Sequence, residues 1–455
     1  MPRVTPSNDN DLLGVSLFTG AGIGDLGFRK AGVEFIATCE LEHDRAALSA
    51  RNFPNAKHFV ADIQAAGPEI VAFVRAELKR RKQDLFLITC TAPCQGMSKN
   101  GQGTLLRNIR EGKRLAMDPR NRLILPALAI VRELKPQFVV FENVQEMRRT
   151  LIEDDSGQVR PILEVVEDAL APQYSGEAYD IEVADYGVPQ RRQRLITVYT
   201  RVPSVRRLHA AGESLVPGPT HSKTGGRGRK KWVSVEAALR AFPPLDAGSA
   251  KTATSSIPFH RVPVLDPKKY EWVRHTPLGR SAFDNQCVNP KCLCDENPGH
   301  GNTRGQDGIN RANKGTPLYC EKCGDLLPRL YTEESDGSRR IMSGYTSAYK
   351  RMDASLPAPT LTRNMSYPCS DQKVHPFEHR VLSLAEAMRL HSIDGYDYAW
   401  EVDGKAAPDS LIRLVIGESV PPRFLELLGR HLLSMARGNS QVEPLSAPVQ
   451  RRLAL

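Results

Sequence analysis

The sequence predicts an α/β protein: a mostly parallel sheet covered by helices on both faces, joined to a smaller, loop-rich unit. Three observations predict it. Short apolar runs alternate with amphipathic stretches over residues 12–200, the pattern of strands linked by crossover helices. Beyond about Val202 the alternation stops, and residues 203–375 become rich in Gly, Pro, Ser, Thr and charge. Helical periodicity then returns near the C-terminus. A chain of 455 residues fits two or three units.

The strand-like runs are Val15–Phe18, Phe35–Glu40, His58–Ile63, Leu85–Cys90, Phe138–Glu142, Ile181–Asp185 and Leu195–Tyr199. Helical patterns lie between most of them, among them Asp44–Arg51, Ile70–Arg81 and Asn121–Leu134. Lys223–Lys231 is a Gly-rich basic loop by composition. Helices are expected again at Ser383–Leu390 and Pro421–Ala436, with residues 438–455 as a frayed tail. No internal repeat is visible.

Composition removes several classes of function. The chain is 40% hydrophobic and 25% charged, which argues against wholesale disorder. No apolar stretch approaches the roughly 18 residues of a membrane span, and Met1–Asn10 has no apolar signal core. Nine Cys do not make a disulfide scaffold, so a cytoplasmic chain with a few special thiols is expected. The net charge of +10 is unevenly spread. Residues 216–375 hold 24 Lys and Arg against 15 Asp and Glu, while the other 295 residues hold 38 against 37. The positive excess sits in the loop-rich segment and points there to a polyanion partner.

Three motifs fall at the carboxyl ends of predicted strands, where ligands of such sheets bind, and a fourth opens the last strand. First, Val15–Phe18 runs into Thr19-Gly20-Ala21-Gly22-Ile23-Gly24, a turn that lets backbone approach a ligand. Glu40 ends the next strand, where a carboxylate accepts ribose hydroxyls, and Asp62 and Ile63 end the third, where they could flank an adenine. A dinucleotide fingerprint would want Gly where Asp25 stands. Alone, this also fits a tight turn with a solvated Glu. Second, Leu85–Cys90 leads into Thr91-Ala92-Pro93-Cys94-Gln95-Gly96. A Cys on a loop there can act as a nucleophile or simply pack; Cys90, inside the apolar run, should be core. Third, Phe138–Phe141 ends in Glu142-Asn143-Val144. A half-buried carboxyl holds its proton more tightly and suits a general acid, although Glu142 and Asn143 could equally be a helix cap. Fourth, Val188-Pro189-Gln190-Arg191-Arg192-Gln193-Arg194 opens the last strand. Alternation sends Gln190, Arg192 and Arg194 to one face, which asks for a polar cavity or a solvated edge.

In this order the four motifs resemble those of the DNA cytosine-5 methyltransferases, over about 260 residues in two blocks. Arg380-Val381-Leu382-Ser383-Leu384-Ala385-Glu386-Ala387-Met388-Arg389-Leu390 and Ile416-Gly417-Glu418-Ser419-Val420-Pro421 resemble two further motifs, and Ala358-Pro359-Thr360-Leu361-Thr362 has the same look. Three positions depart from the pattern: Ala92 for Pro, Ser383 for Thr and Glu418 for Asn. Glu418 falls near the expected methionine end of the cofactor.

The resemblance implies a Rossmann-like S-adenosylmethionine-dependent methyltransferase domain over 12–202, completed by 376–437, with a target recognition domain over 203–375. S-adenosylmethionine would lie across Phe18, Gly20, Ala21, Gly22, Ile23, Gly24, Glu40, Leu41, Asp62, Ile63, Pro93, Ser419 and Val420. Cys94 would attack carbon 6 of a cytosine flipped out of double-stranded DNA, with Gln95 beside it. Glu142 would hold the ring nitrogen and amine, Arg192 the base carbonyl, and Arg194 would brace the loop. A bacterial or phage restriction-modification or orphan enzyme is expected. It would act as a monomer in the cytoplasm, at the nucleoid, with or without a separately encoded endonuclease. An RNA cytosine-5 methyltransferase and a catalytically silent DNA-binding protein are the alternatives. A dehydrogenase fails on Asp25 and on the nucleophile loop.

The recognition segment carries a second signal: Cys287, Cys292 and Cys294, then Cys320-Glu321-Lys322-Cys323-Gly324. Cys-x-x-Cys-Gly presents two thiolates to one tetrahedral ion, so a structural zinc is expected. Cys320 and Cys323 would bind it with two of the first three, Cys287 and Cys292 foremost. His300 lies nearby.

Overall fold

The computed structural model describes residues 12–93, 97, 118–300, 302–304, 310–312, 315–342, 346–370 and 372–438. Cys94, Gln95 and nearly all of the expected tail lie outside the described residues. The apolar runs form β1 (Leu12–Leu17), β2 (Val33–Glu40), β3 (Lys57–Val60), β4 (Leu85–Cys90) and β5 (Phe138–Asn143). A small hairpin follows, β6 (Leu151–Glu153) with β7 (Val159–Pro161), and then β8 (Ser175–Glu182) and β9 (Gln193–Thr200). The main sheet has seven strands in the order β3-β2-β1-β4-β5-β9-β8. Its first five strands are mutually parallel, and β9 runs antiparallel to both neighbours. The chain order reverses between β1 and β4, so a crevice opens there beyond the carboxyl ends.

The helices of the first block are α1 (Asp25–Lys30), α2 (His43–Asn52), α3 (Ile63–Arg81), α4 (Ile124–Leu134) and α5 (Ile162–Leu170). α3, α4 and α5 cover one face of the sheet, burying Ile70, Val74, Leu128, Val131 and Val166 against Val15, Leu17, Ile88 and Phe141. Burial on both faces explains why β4 reads Leu-Phe-Leu-Ile-Thr-Cys without alternation. α3 starts seven residues before the predicted Ile70, because Asp62 caps it by accepting from Gln64 N at 2.7 Å and the helix continues through Pro68. Asp62 and Ile63 therefore start a helix rather than end β3, which stops at Val60.

Among the described residues, the middle segment contributes α6 (Pro203–Ala210), α7 (Val235–Leu239), α8 (Pro267–Arg274), a 3-10 turn at Ala282–Asp284 and two-stranded pieces. With few ladders, loop carbonyls need other donors, and buried arginines supply them. Arg329 donates to the carbonyls of Asn285, Pro298 and Pro317. Arg351 donates to those of Thr276, Val273, His375 and Glu378, and burial pushes its guanidinium down to about 10.

The C-terminal block supplies α9 (Leu384–Leu390), α10 (Asp409–Glu418) and α11 (Pro422–Ala436). Ser383 caps α9 in a capping box with Glu386, the same task a Thr would perform. Glu386 is also held by a bidentate bond from buried Arg380, at 2.7 Å to each oxygen. α10 lies outside the helices expected from sequence, although buried Leu411, Ile412, Val415 and Ile416 have helical spacing. α11 returns to the other face of the main sheet, where Phe424, Leu428 and Leu432 join Leu26, Phe28, Phe86 and Phe138. A Cβ on Gly27 would collide with the Pro422 carbonyl, so glycine sets the closeness of α1 and α11.

Candidate active site

Hydrogen bonds across the loop starts hold the carboxyl edge of the sheet together. Thr19 N donates to Cys39 O at 3.1 Å, Thr91 N to Leu17 O at 3.2 Å and Ala61 N to Glu40 O at 3.1 Å. Thr91 Oγ1 also donates to Phe18 O at 2.6 Å. Above this edge lies a cavity of about 440 Å³, within the range of small-molecule sites. Its far wall is Val415, Gly417, Glu418, Ser419, Val420 and Leu425, so both ends of the chain build it.

The glycine turn forms one wall. Phe18, Gly20 and Gly22 have φ of 56, 55 and 73°, left-handed values that glycine adopts freely. Phe18, Gly20, Ala21, Ile23 and Gly24 line the cavity. Gly22 does not; it faces Phe53 and Ser49 and serves the turn itself. Glu40 accepts from Gly20 N at 2.9 Å and from Glu42 N at 3.0 Å, which fixes its carboxylate at the rim. Leu41, Asp62, Ile63 and Pro93 also line the cavity.

Glu142, at the end of β5, is held by Arg194, whose Nε lies 2.8 Å from its Oε1. Burial raises the Glu142 pKa, and Arg194 and Arg192 oppose the rise. It is not a helix cap, since the turn after it begins at Gln145 without a side-chain cap. Asn143 instead ties β5 to the loop after β4, donating to Ala92 O at 3.2 Å. Ala92 takes part there through its carbonyl, which a Pro would equally provide.

Both arginines line the cavity, but they meet different partners. Arg192 is buried and donates to Leu361 O at 3.1 Å, Gly417 O at 2.9 Å and Glu418 O at 3.2 Å. It therefore braces the loops, because its guanidinium meets carbonyls from both later segments. Arg194 is the one beside Glu142. Gln190, Arg192 and Arg194 do share a face, and Arg191 points outward with its side chain 53% exposed. Ala358 pairs with Gln190 as an isolated bridge, so the Ala358–Thr362 segment backs this strand.

Several wall residues were not singled out from sequence. Arg45 of α2 pairs with Glu418 at 3.0 Å and lies 3.9 Å from Glu40, so Glu418 is neutralised across the cavity mouth. Asp25, noticed only as a departure from the dinucleotide turn, is buried and accepts from Thr19 Oγ1 at 2.7 Å. Burial raises its pKa to about 6 against the lowering by Thr19, Ser16 and Thr89. A raised folded pKa gives stability present below about pH 4 and lost as pH rises through about 6. Asp25→Asn is expected to flatten that loss and to stabilise the fold at pH 7 by up to about 3 kcal/mol. Urea unfolding of both proteins between pH 4 and 7 measures it.

A family model for C-5 cytosine-specific DNA methylases matches residues 13–230. The type II methyltransferase M.XorII of Xanthomonas oryzae pv. oryzae is 32% identical over 439 residues, covering 93% of this chain and 85% of that protein. The chain belongs to the C-5 cytosine-specific DNA methylases. A second relative of this methylase, the type II methyltransferase M1.HgaI of Avibacterium volantium, is 28% identical and covers 93% of this chain and 99% of its own. The solved structure of a DNMT2 mutant from Spodoptera frugiperda has the same fold, with a TM-score of 0.51 at 14% identity, covering 93% of this chain and 100% of that one.

The cysteines of the middle segment form a second centre. The Sγ atoms of Cys287, Cys292, Cys320 and Cys323 all lie within 4.8 Å of one another. Cys287 and Cys323 are 3.6 Å apart, and Cys292 and Cys320 are 3.9 Å apart. Four sulfurs around one tetrahedral zinc would be about 3.8 Å apart, so the thiols fit that ion. Cys294 is not in the group. It takes part through its carbonyl, which accepts from Cys287 N at 3.1 Å. His300 is engaged elsewhere, with Nδ1 2.8 Å from Asp284.

Proposed function

We propose that this methylase transfers a methyl group from S-adenosylmethionine to carbon 5 of a cytosine within a specific double-stranded DNA sequence. The observation that carries the reading is the Glu142–Arg194 pair at 2.8 Å in the same cavity as Glu40 and Pro93, one residue from Cys94. The cavity suits the cofactor, with apolar Phe18, Leu41 and Ile63 for a flat base and the Glu40 carboxylate for ribose hydroxyls. When bound, S-adenosylmethionine supplies the methyl group from its sulfonium.

The protein's own groups do the rest. The cytosine leaves the duplex, since its face is otherwise stacked. The Cys94 thiolate forms a bond to carbon 6, and the displaced electron pair makes carbon 5 nucleophilic. Glu142, whose pKa burial raises against the pull of Arg194 and Arg192, donates to ring nitrogen 3 as charge develops, and Arg194 rather than Arg192 takes the base carbonyl. After methylation a base removes the carbon-5 proton, and Cys94 leaves to restore the aromatic ring. Gln95 stands next to the nucleophile in the sequence.

The domain reading is that residues 12–202 and 376–437 form the catalytic unit and residues 203–375 read the DNA, with 438–455 as a tail. The basic excess of that middle segment supports phosphate contacts. One zinc on Cys287, Cys292, Cys320 and Cys323 would tie its loops together. The two relatives named as type II methyltransferases support a role in restriction-modification, with the methylase acting as a monomer in the cytoplasm and any cognate endonuclease a separate protein. Among the described residues no helix is long and apolar enough to cross a membrane.

Labelled S-adenosylmethionine given to unmethylated DNA and to RNA tests the reading, with wild type run against Cys94→Ala. Label in 5-methyldeoxycytidine, lost in the variant, is expected. Label in RNA alone, or undiminished transfer by Cys94→Ala, would overturn it.

A further inference from the structure

Ser419 lines the cavity, and behind it lies a buried polar chain that the mechanism above does not use. Its order can be worked out from one unambiguous donor. The backbone N–H of Leu361 donates to Gln190 Oε1 at 3.0 Å, so the Gln190 amide nitrogen must face the other way. That nitrogen meets His391 Nδ1 at 3.0 Å and the Leu390 carbonyl at 3.5 Å. Because the amide nitrogen can only donate, Nδ1 must accept, and the ring proton sits on Nε2. His391 Nε2 lies 3.0 Å from Ser419 Oγ, so the imidazole donates to the hydroxyl.

The Ser419 hydroxyl is left with its own proton to give. Among the described residues its one acceptor is the Ile416 carbonyl at 3.3 Å, and the cavity offers it a ligand. Gln190 and His391 are both fully buried, so water does not scramble the sequence of donors. Burial, with Arg192 and Arg194 nearby, keeps the imidazole neutral by pushing its pKa well below the ordinary histidine range, which preserves the single tautomer. Gln190 is itself fixed by Leu361, and the Leu361 carbonyl is fixed by Arg192.

We infer that His391 is a positioning residue, relaying the orientation of Gln190 to Ser419 so that the Ser419 hydroxyl donates to an acceptor on the amino-acid end of the cofactor. The inference rests on the S-adenosylmethionine reading, and it assigns a task to a residue outside every motif recognised from sequence. An imidazole suits the task because it accepts on one edge and donates on the other across a rigid ring.

Calorimetric titration tests it with three probes: S-adenosylmethionine, S-adenosylhomocysteine, and 5′-methylthioadenosine, which lacks the amino-acid end. His391→Phe removes the relay, and Ser419→Ala removes its output. Each is expected to weaken the first two probes roughly 10-fold or more, the usual loss for a hydrogen bond to a charged group. The double variant should bind no more weakly than Ser419→Ala, and 5′-methylthioadenosine should bind all variants alike. His391→Gln, whose amide also accepts at one atom and donates at the next, should restore affinity. His391→Asn, too short to reach Ser419, should not, and it serves if His391→Phe fails to fold. Additive losses, or an equal loss for 5′-methylthioadenosine, would overturn the relay while leaving the cofactor reading intact. Failure of the wild type to bind S-adenosylmethionine would overturn both.

Discussion

Glu142→Gln is expected to lower kcat by about 10²–10⁴, the usual contribution of a positioned acid or base, while S-adenosylmethionine affinity changes far less. The substitution keeps the volume and one acceptor for Arg194 Nε, now 2.8 Å from the carboxylate. It removes the proton that ring nitrogen 3 needs as charge develops. The same change should stabilise the fold near neutral pH. Burial holds the Glu142 pKa above its ordinary value, so its stability contribution is complete below the unfolded-state pKa and is lost as pH rises through the folded one. Glutamine escapes that loss. The variant should melt above wild type at pH 7, and the difference should close on acidification. Single-turnover methylation and thermal melts at several pH values check both halves; unchanged turnover would remove Glu142 from the chemistry.

The second large effect concerns the four thiols of the middle segment. Purified protein is expected to hold one zinc per chain, and Cys320→Ser or a strong chelator should release it. Structural zinc contributes on the order of 10 kcal/mol or more in small domains, and among the described residues Leu327 is the one non-cysteine side chain grouped with these thiols. The loops over 285–330 should therefore open to protease, and DNA affinity should fall by at least 10-fold. S-adenosylmethionine should still bind normally, because among the described residues none of that segment lines its cavity. Metal content well under one zinc per chain, or unchanged protease resistance after chelation, would remove the zinc.

Legibility from sequence followed the physics of each part. Parallel strands buried on both faces show as unbroken apolar runs, so β1, β2, β4 and β5 could be found within a few residues. The glycine turn, Glu40 and Glu142 could be found because carboxyl-edge positions follow such runs directly. Side-chain partners were less visible. Periodicity puts Arg192 and Arg194 on one face but does not say which meets Glu142; that depends on carbonyls of Leu361, Gly417 and Glu418, contributed from more than 160 residues away. Arg45 and His391 carry no motif, and their roles exist only once α2, α9 and α10 are packed. Cys294 fits a ligand spacing as well as Cys292 does, and only the folded loop separates them.

The far wall of the cavity, residues 415–420 with Leu425, has a consequence for timing in the cell. At a synthesis rate of about 5–20 residues per second, the ribosome needs roughly 10–40 s after the last strand of the sheet to reach that wall. Throughout that interval the nascent chain has its glycine turn and Glu142, but the cleft stands open on one side. Closure of the cavity thus waits until the basic middle segment has been made.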